Sequence, residues 1–89
     1  MYDLQVHKDV LKQLREYPKA VQKSLLDDID LLVDPLNESL RGRVKKLEGY
    51  ENLYRLKAGG KRIVYGLDKK KRTVTIILVD GRNDLYDKS

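Results

Sequence analysis

An α+β fold, with two helices packed on one curved antiparallel sheet, follows from three features of this chain. Apolar residues recur at helical spacing up to Leu36, and beyond it they alternate as in strands. Gly59 and Gly60 join two alternating stretches, as in a β-hairpin. The length of 89 residues is enough for one domain, so both layers must share a single core. The expected order is β-α-α-β-β-β in one domain over residues 1–89, with room for a fourth strand in the second half.

Each element has its own signal. Tyr2 to His7 alternates weakly and reads as a short strand. Asp9 stands where a helix cap would be, and Val10, Leu14 and Tyr17 with Leu11 follow at helical spacing. Pro18 closes that helix or opens the next. Val21, Leu25, Ile29 and Leu32, flanked by Leu26 and Val33, mark a second helix of about four turns. Its acids Asp27, Asp28 and Asp30 read as a solvated face, and Asp34-Pro35 stops it. So tight a connection predicts an antiparallel helical hairpin.

A basic connection from Leu40 to Leu47 then leads into a strand around Val44. Glu48 to Asn52 is a turn, Leu53 to Ala58 a strand, and Lys61 to Leu67 the strand returning from Gly59-Gly60. Asp68 to Lys71 turns again, with Lys69, Lys70 and Lys71 on the tip. Arg72 to Val79 is the most apolar strand, rich in β-branched residues, and belongs inside the sheet. Asp80 to Asp84 leaves it.

Composition removes several chemistries. Without cysteine there is no disulfide, thiolate metal site or Cys nucleophile. The single histidine, His7, rules out a His-pair metal site and a two-histidine ribonuclease. It sits beside the first helix, where a cap or edge role suits it. No metal and no small-molecule cofactor is expected. Nothing resembles a signal peptide, and the longest apolar run, Ile76 to Val79, is far short of a membrane span. A cytoplasmic protein without a membrane partner is expected.

The net charge of +5 is unevenly placed. Residues 1–40 carry 5 basic and 8 acidic side chains, and residues 41–89 carry 14 and 6. An acidic scaffold half joined to a strongly basic half suggests a polyanion-binding face. The hairpin register sharpens this. With Gly59-Gly60 as the loop, Ala58 faces Lys61, Lys57 faces Arg62, Leu56 faces Ile63, Arg55 faces Val64 and Tyr54 faces Tyr65. One face then collects Tyr54, Leu56, Ile63 and Tyr65 for the core. The other collects Arg55, Lys57 and Arg62 with no acid expected among them. Like charges facing each other across strands are unfavourable for stability and well suited to gripping a phosphate.

The series Lys46-Leu47-Glu48-Gly49, Leu53-Tyr54-Arg55-Leu56-Lys57, Gly60-Lys61-Arg62-Ile63-Val64-Tyr65, Val74 to Val79 and Gly81-Arg82-Asn83-Asp84-Leu85-Tyr86 resembles the RelE/ParE toxin superfamily. It is most similar to the RelE branch, the ribosome-dependent messenger-RNA endonucleases of type II toxin–antitoxin pairs. The resemblance covers nearly the whole chain and implies a RelE-like fold, a cognate RelB-like antitoxin, and action on messenger RNA in the ribosome. By position, it implies that Arg55 and Lys57 contact the scissile region. Lys57 would be the base toward the ribose 2′-hydroxyl, because arginine does not deprotonate. Arg62 would stabilise the phosphate, Arg82 the transition state and leaving group, and Tyr86 would stack on a nucleotide. Lys57, Arg62, Arg82 and Tyr86 are thus the expected catalytic positions, with Arg55, Lys45, Lys46 and Lys61 binding RNA around them. Gly81 stands where many members carry His or Lys. A ParE-like DNA gyrase poison without ribonuclease activity, or a non-catalytic nucleic-acid-binding remnant, stays open as an alternative.

Overall fold

The computed structural model describes residues 1–80. Strand β1 (Asp3–Val6) is followed by helix α1 (Lys8–Arg15) and helix α2 (Lys19–Leu31). A 3₁₀ turn at Glu38–Leu40 leads to β2 (Val44–Lys46), β3 (Leu53–Ala58), β4 (Lys61–Asp68) and β5 (Thr73–Asp80). The five strands form one sheet in the order β1-β5-β4-β3-β2.

The sheet is mixed, which corrects the antiparallel expectation. β2 to β5 run antiparallel, but β1 lies parallel to β5, with Leu4 beside Val74 and Val6 beside Ile76. The helical hairpin is a crossover long enough to let β1 join the far edge of the sheet, which a tight turn could not do. β5 is therefore an interior strand, as its apolar sequence requires.

His7, not Asp9, caps α1: its Nδ1 accepts the Asp9 N–H at 3.1 Å. α1 buries Val10 and Leu14, and α2 buries Leu25 and Ile29 with Leu32 at its end. These meet Leu56, Ile63, Tyr65, Val74, Ile76 and Val79 from the sheet. The stacked rings of Tyr54 and Tyr65, 5.7 Å apart, lie on this inner face. Burial and the neighbouring Tyr54 push the Tyr65 hydroxyl up to about 12. Gly59 takes a φ of +63°, the left-handed conformation that the hairpin turn requires.

One irregularity matters for the outer face. Val64 pairs with Leu78 while Tyr65 pairs with Ile76, so Ile77 is an extra residue opposite the Val64/Tyr65 step. This bulge re-aims the end of β5. Val79 then shares the inner face with Ile63, and Asp80 stands opposite Arg62.

Candidate nucleic-acid interface

The predicted hairpin register holds at every pair from Tyr54–Tyr65 to Ala58–Lys61. Because strand side chains alternate, the face turned away from the helices carries Arg55 and Lys57 from β3 and Arg62 from β4. β2 adds to it, since Lys45 pairs with Arg55. Four of the predicted cations thus share one surface. Lys45 and Lys57 are exposed, Arg55 and Arg62 are half-buried, and the Arg62 Nη1 is closed off from solvent. Val64, only 7% exposed, lies in the row beside Arg55.

Three expectations need correction. Lys61 pairs with Ala58 on the inner face, and its Nζ lies 5.1 Å from the centre of the Tyr17 ring. It stabilises the edge of the helical layer through a cation–π contact and does not join the cationic surface. Lys46 pairs with Tyr54, so its parity also differs from that of Arg55. And the surface is not free of acid. Asp80, the buried charged residue of the described chain at 8% exposure, is the register partner of Arg62. The sequence has the chain leaving the sheet at Asp80, whereas β5 runs one residue further and includes it. Asp80, after burial, is also the main influence holding the Tyr17 hydroxyl above its ordinary pKa, with Glu16 a lesser one. Arg82 and Tyr86 lie outside the described residues.

Sequence reasoning missed Arg43. Its Nε donates to the Lys57 carbonyl at 3.0 Å, its Nη1 to the Ser39 carbonyl at 3.4 Å, and its Nη2 meets Asp28 Oδ1 at 2.9 Å. In the other direction, the Lys57 N–H donates to the Arg43 carbonyl at 2.7 Å. The backbone of Lys57 is therefore held on both sides by Arg43, which is anchored to α2. Asp28 is not a solvated residue: its side chain is 18% exposed and occupied by this pair. No sequence pattern announces such a clamp, because its partners lie on separate elements.

Among the described residues no cluster of His, Cys, Asp or Glu could hold a metal ion, and no helix is long and apolar enough to cross a membrane. What the outer face offers is preorganised positive charge, with one lysine whose backbone is fixed at both N–H and C=O.

A search of curated protein sequences returns no match. The family model for the ParE toxin of the type II toxin–antitoxin system parDE matches residues 4–86. The chain belongs to this RelE/ParE toxin family. Solved structures agree with that membership. The RelE of a RelE–RelB complex from Pyrococcus horikoshii is 32% identical, with 92% of this chain and 96% of that chain covered and a TM-score of 0.76. The isolated RelE toxin of E. coli is 27% identical, covering 99% and 94%, with a TM-score of 0.69. A chain of the intact E. coli RelBE toxin–antitoxin complex is 28% identical over 90% and 95%, with a TM-score of 0.66. The likeness in fold spans both the helical layer and the sheet.

Proposed function

We propose that this toxin is a ribosome-dependent endoribonuclease that cuts messenger RNA in the A site and so inhibits translation. The observation that carries the proposal is the pairing of Lys57 with Arg62 across β3 and β4, with Arg55 and Lys45 on the same face. Internal cleavage of RNA needs a proton removed from the 2′-hydroxyl, charge neutralised on the phosphorane, and a proton given to the departing 5′-oxygen. The Lys57 amine takes the first proton, O2′ bonds to phosphorus, and the P–O5′ bond breaks. A 2′,3′-cyclic phosphate and a 5′-hydroxyl remain. Arg62 and Arg55 stabilise the added charge. Arg82 is proposed to stabilise the charge on the departing 5′-oxygen, which takes its proton from water, and Tyr86 to stack on a nucleotide. The chain's one histidine, His7, is occupied in capping α1, so much of the rate must come from positioning, which a ribosome-held message supplies.

A RelB-like antitoxin is the proposed inhibitor, in keeping with the RelE–RelB complexes among the structural relatives. Leu11 on α1 and Leu26 on α2, 45% and 44% exposed, offer apolar contact for it on the helical hairpin. The match to a ParE model favours a second reading, a DNA gyrase poison. Two assays separate them. A purified translation system with a defined message, read by primer extension, should show cuts within the A-site codon. A supercoiling assay with gyrase should show no inhibition. Intact messages together with stopped supercoiling would reverse the assignment. Arg62→Ala should lose about 2–4 kcal/mol of transition-state stabilisation.

A further inference from the structure

The outer face does not end at the cations. Two residues before Arg55, and on the same side of β3, Leu53 pairs with Gly66, which in turn pairs with Thr75. This row is about 7 Å along the strands from the Arg55 row. It forms the floor of a groove of about 820 Å³ that Gln5, Asn52 and Thr73 also line.

Gly66 is the informative residue. Its φ lies outside the left-handed region, so the backbone accepts any side chain there. A Cβ would meet Leu53 Cδ2 at 3.6 Å, Ile77 Cδ1 at 3.7 Å and the Asn52 carbonyl at 3.9 Å, all ordinary contacts. Neither the backbone conformation nor the room for a Cβ asks for glycine, and glycine inside a strand weakens it. What the missing side chain does is leave a narrow slot between two aliphatic side chains, Leu53 and Ile77, the latter 41% exposed. Around this slot stand neutral amides and hydroxyls, the groups that pair with base edges. At one mouth lie Lys69, Lys70 and Lys71, on a turn fixed by Asp68 Oδ1, which accepts the N–H groups of Lys70 and Lys71 at 3.0 Å each. Glu51 and Asp68 also line the groove, so a phosphate is favoured only at the lysine mouth.

We propose that the groove over Gly66 is a second RNA subsite, taking one unpaired base of the message next to the cleaved step. It rests on the nuclease function above for the identity of its ligand. The base enters edge-on over Gly66 with its faces against Leu53 and Ile77, Asn52 and Gln5 meet its edges, and the lysine turn holds its backbone. A base read here would set which sequence around the cut is preferred, while the cations set the rate.

The test measures fluorescence anisotropy at low salt with a short single-stranded RNA and the same RNA carrying abasic residues. Gly66→Val should melt no lower than the parent, since valine favours strands. It should bind the intact RNA about tenfold more weakly, the scale of one stacked base. The parent should bind the abasic RNA as weakly as the variant binds the intact one. Asn52→Ala, on the exposed turn before β3, provides a second variant and should weaken binding in the same direction. Equal affinity of parent and both variants, equal affinity for both RNAs, or no binding by the parent overturns the subsite. A toxin that cuts messages without any dependence on Gly66 keeps its nuclease function and loses the subsite. Groove-dependent binding by a protein that leaves messages intact refutes the nuclease function alone.

Discussion

Replacing Arg43 with alanine tests whether the cationic surface is held in place by the helical layer. The change removes a 2.9 Å ion pair to Asp28 and a 3.0 Å hydrogen bond to the Lys57 carbonyl. The 3.4 Å bond to Ser39 is too long to count for much. Charge-assisted bonds are worth about 1.5–3 kcal/mol each when shielded. The side chains of Arg43 and Asp28 are 31% and 18% exposed, so solvent screening lowers this. About 1 kcal/mol for each of the two bonds gives a loss near 2 kcal/mol for Arg43→Ala. In a domain of this size that lowers Tm by about 8–16 °C. Arg43→Lys should recover less than half, since an ammonium cannot reach both acceptors in a fixed fork. Thermal unfolding followed by circular dichroism measures all of these, and a double-mutant cycle with Asp28→Asn isolates the ion pair. The Lys57 N–H keeps its bond to the Arg43 carbonyl in the variant, so cleavage should fall less than on losing Lys57 itself. A Tm change below about 2 °C would refute the clamp.

Other expectations follow from the same packing. Leu56→Ala, at a fully buried position where sheet and helices meet, should cost about 2–5 kcal/mol in denaturant unfolding. Stability should fall as pH rises from about 10 toward about 12. In that window the unfolded chain gives up the Tyr65 proton while the folded chain keeps it, so the contribution is complete below pH 10 and lost above it. A urea titration at several alkaline pH values checks this, and Tyr65→Phe should flatten the dependence. Affinity for single-stranded RNA should fall steeply with salt, and less steeply in Arg55→Ala, as one phosphate contact is removed.

The hairpin was legible because glycine at 59 and 60 readily takes the left-handed backbone of a tight turn, and alternation on both sides then sets every pair. The helices were legible from the spacing of Val10, Leu14, Leu25 and Ile29. The partner of β1 was not, since four residues, only Leu4 and Val6 of them half-buried, carry no mark of whether their neighbour runs parallel. Ile76 to Val79 is apolar throughout, so the bulge at Ile77, which decides where Asp80 stands, leaves no trace in the pattern. Lys61 carries a charge suited to RNA, but its place opposite Ala58 sets it on the inner face. Arg43 was invisible because a clamp made of one carboxylate and two backbone carbonyls needs the fold to exist first. The cations that share a surface were therefore readable wherever strand parity applied, and misread where charge was used without it.

Lys57 and Lys61 flank the same hairpin and point to opposite faces, which makes them a direct comparison. Single-turnover cleavage of a defined message in preformed ribosome complexes should fall at least about a hundredfold for Lys57→Ala. For Lys61→Ala, which loses only its contact with Tyr17, the rate should stay within about threefold of the parent. Equal losses at the two positions, or a larger loss at Lys61, would contradict cleavage on the outer face of the sheet.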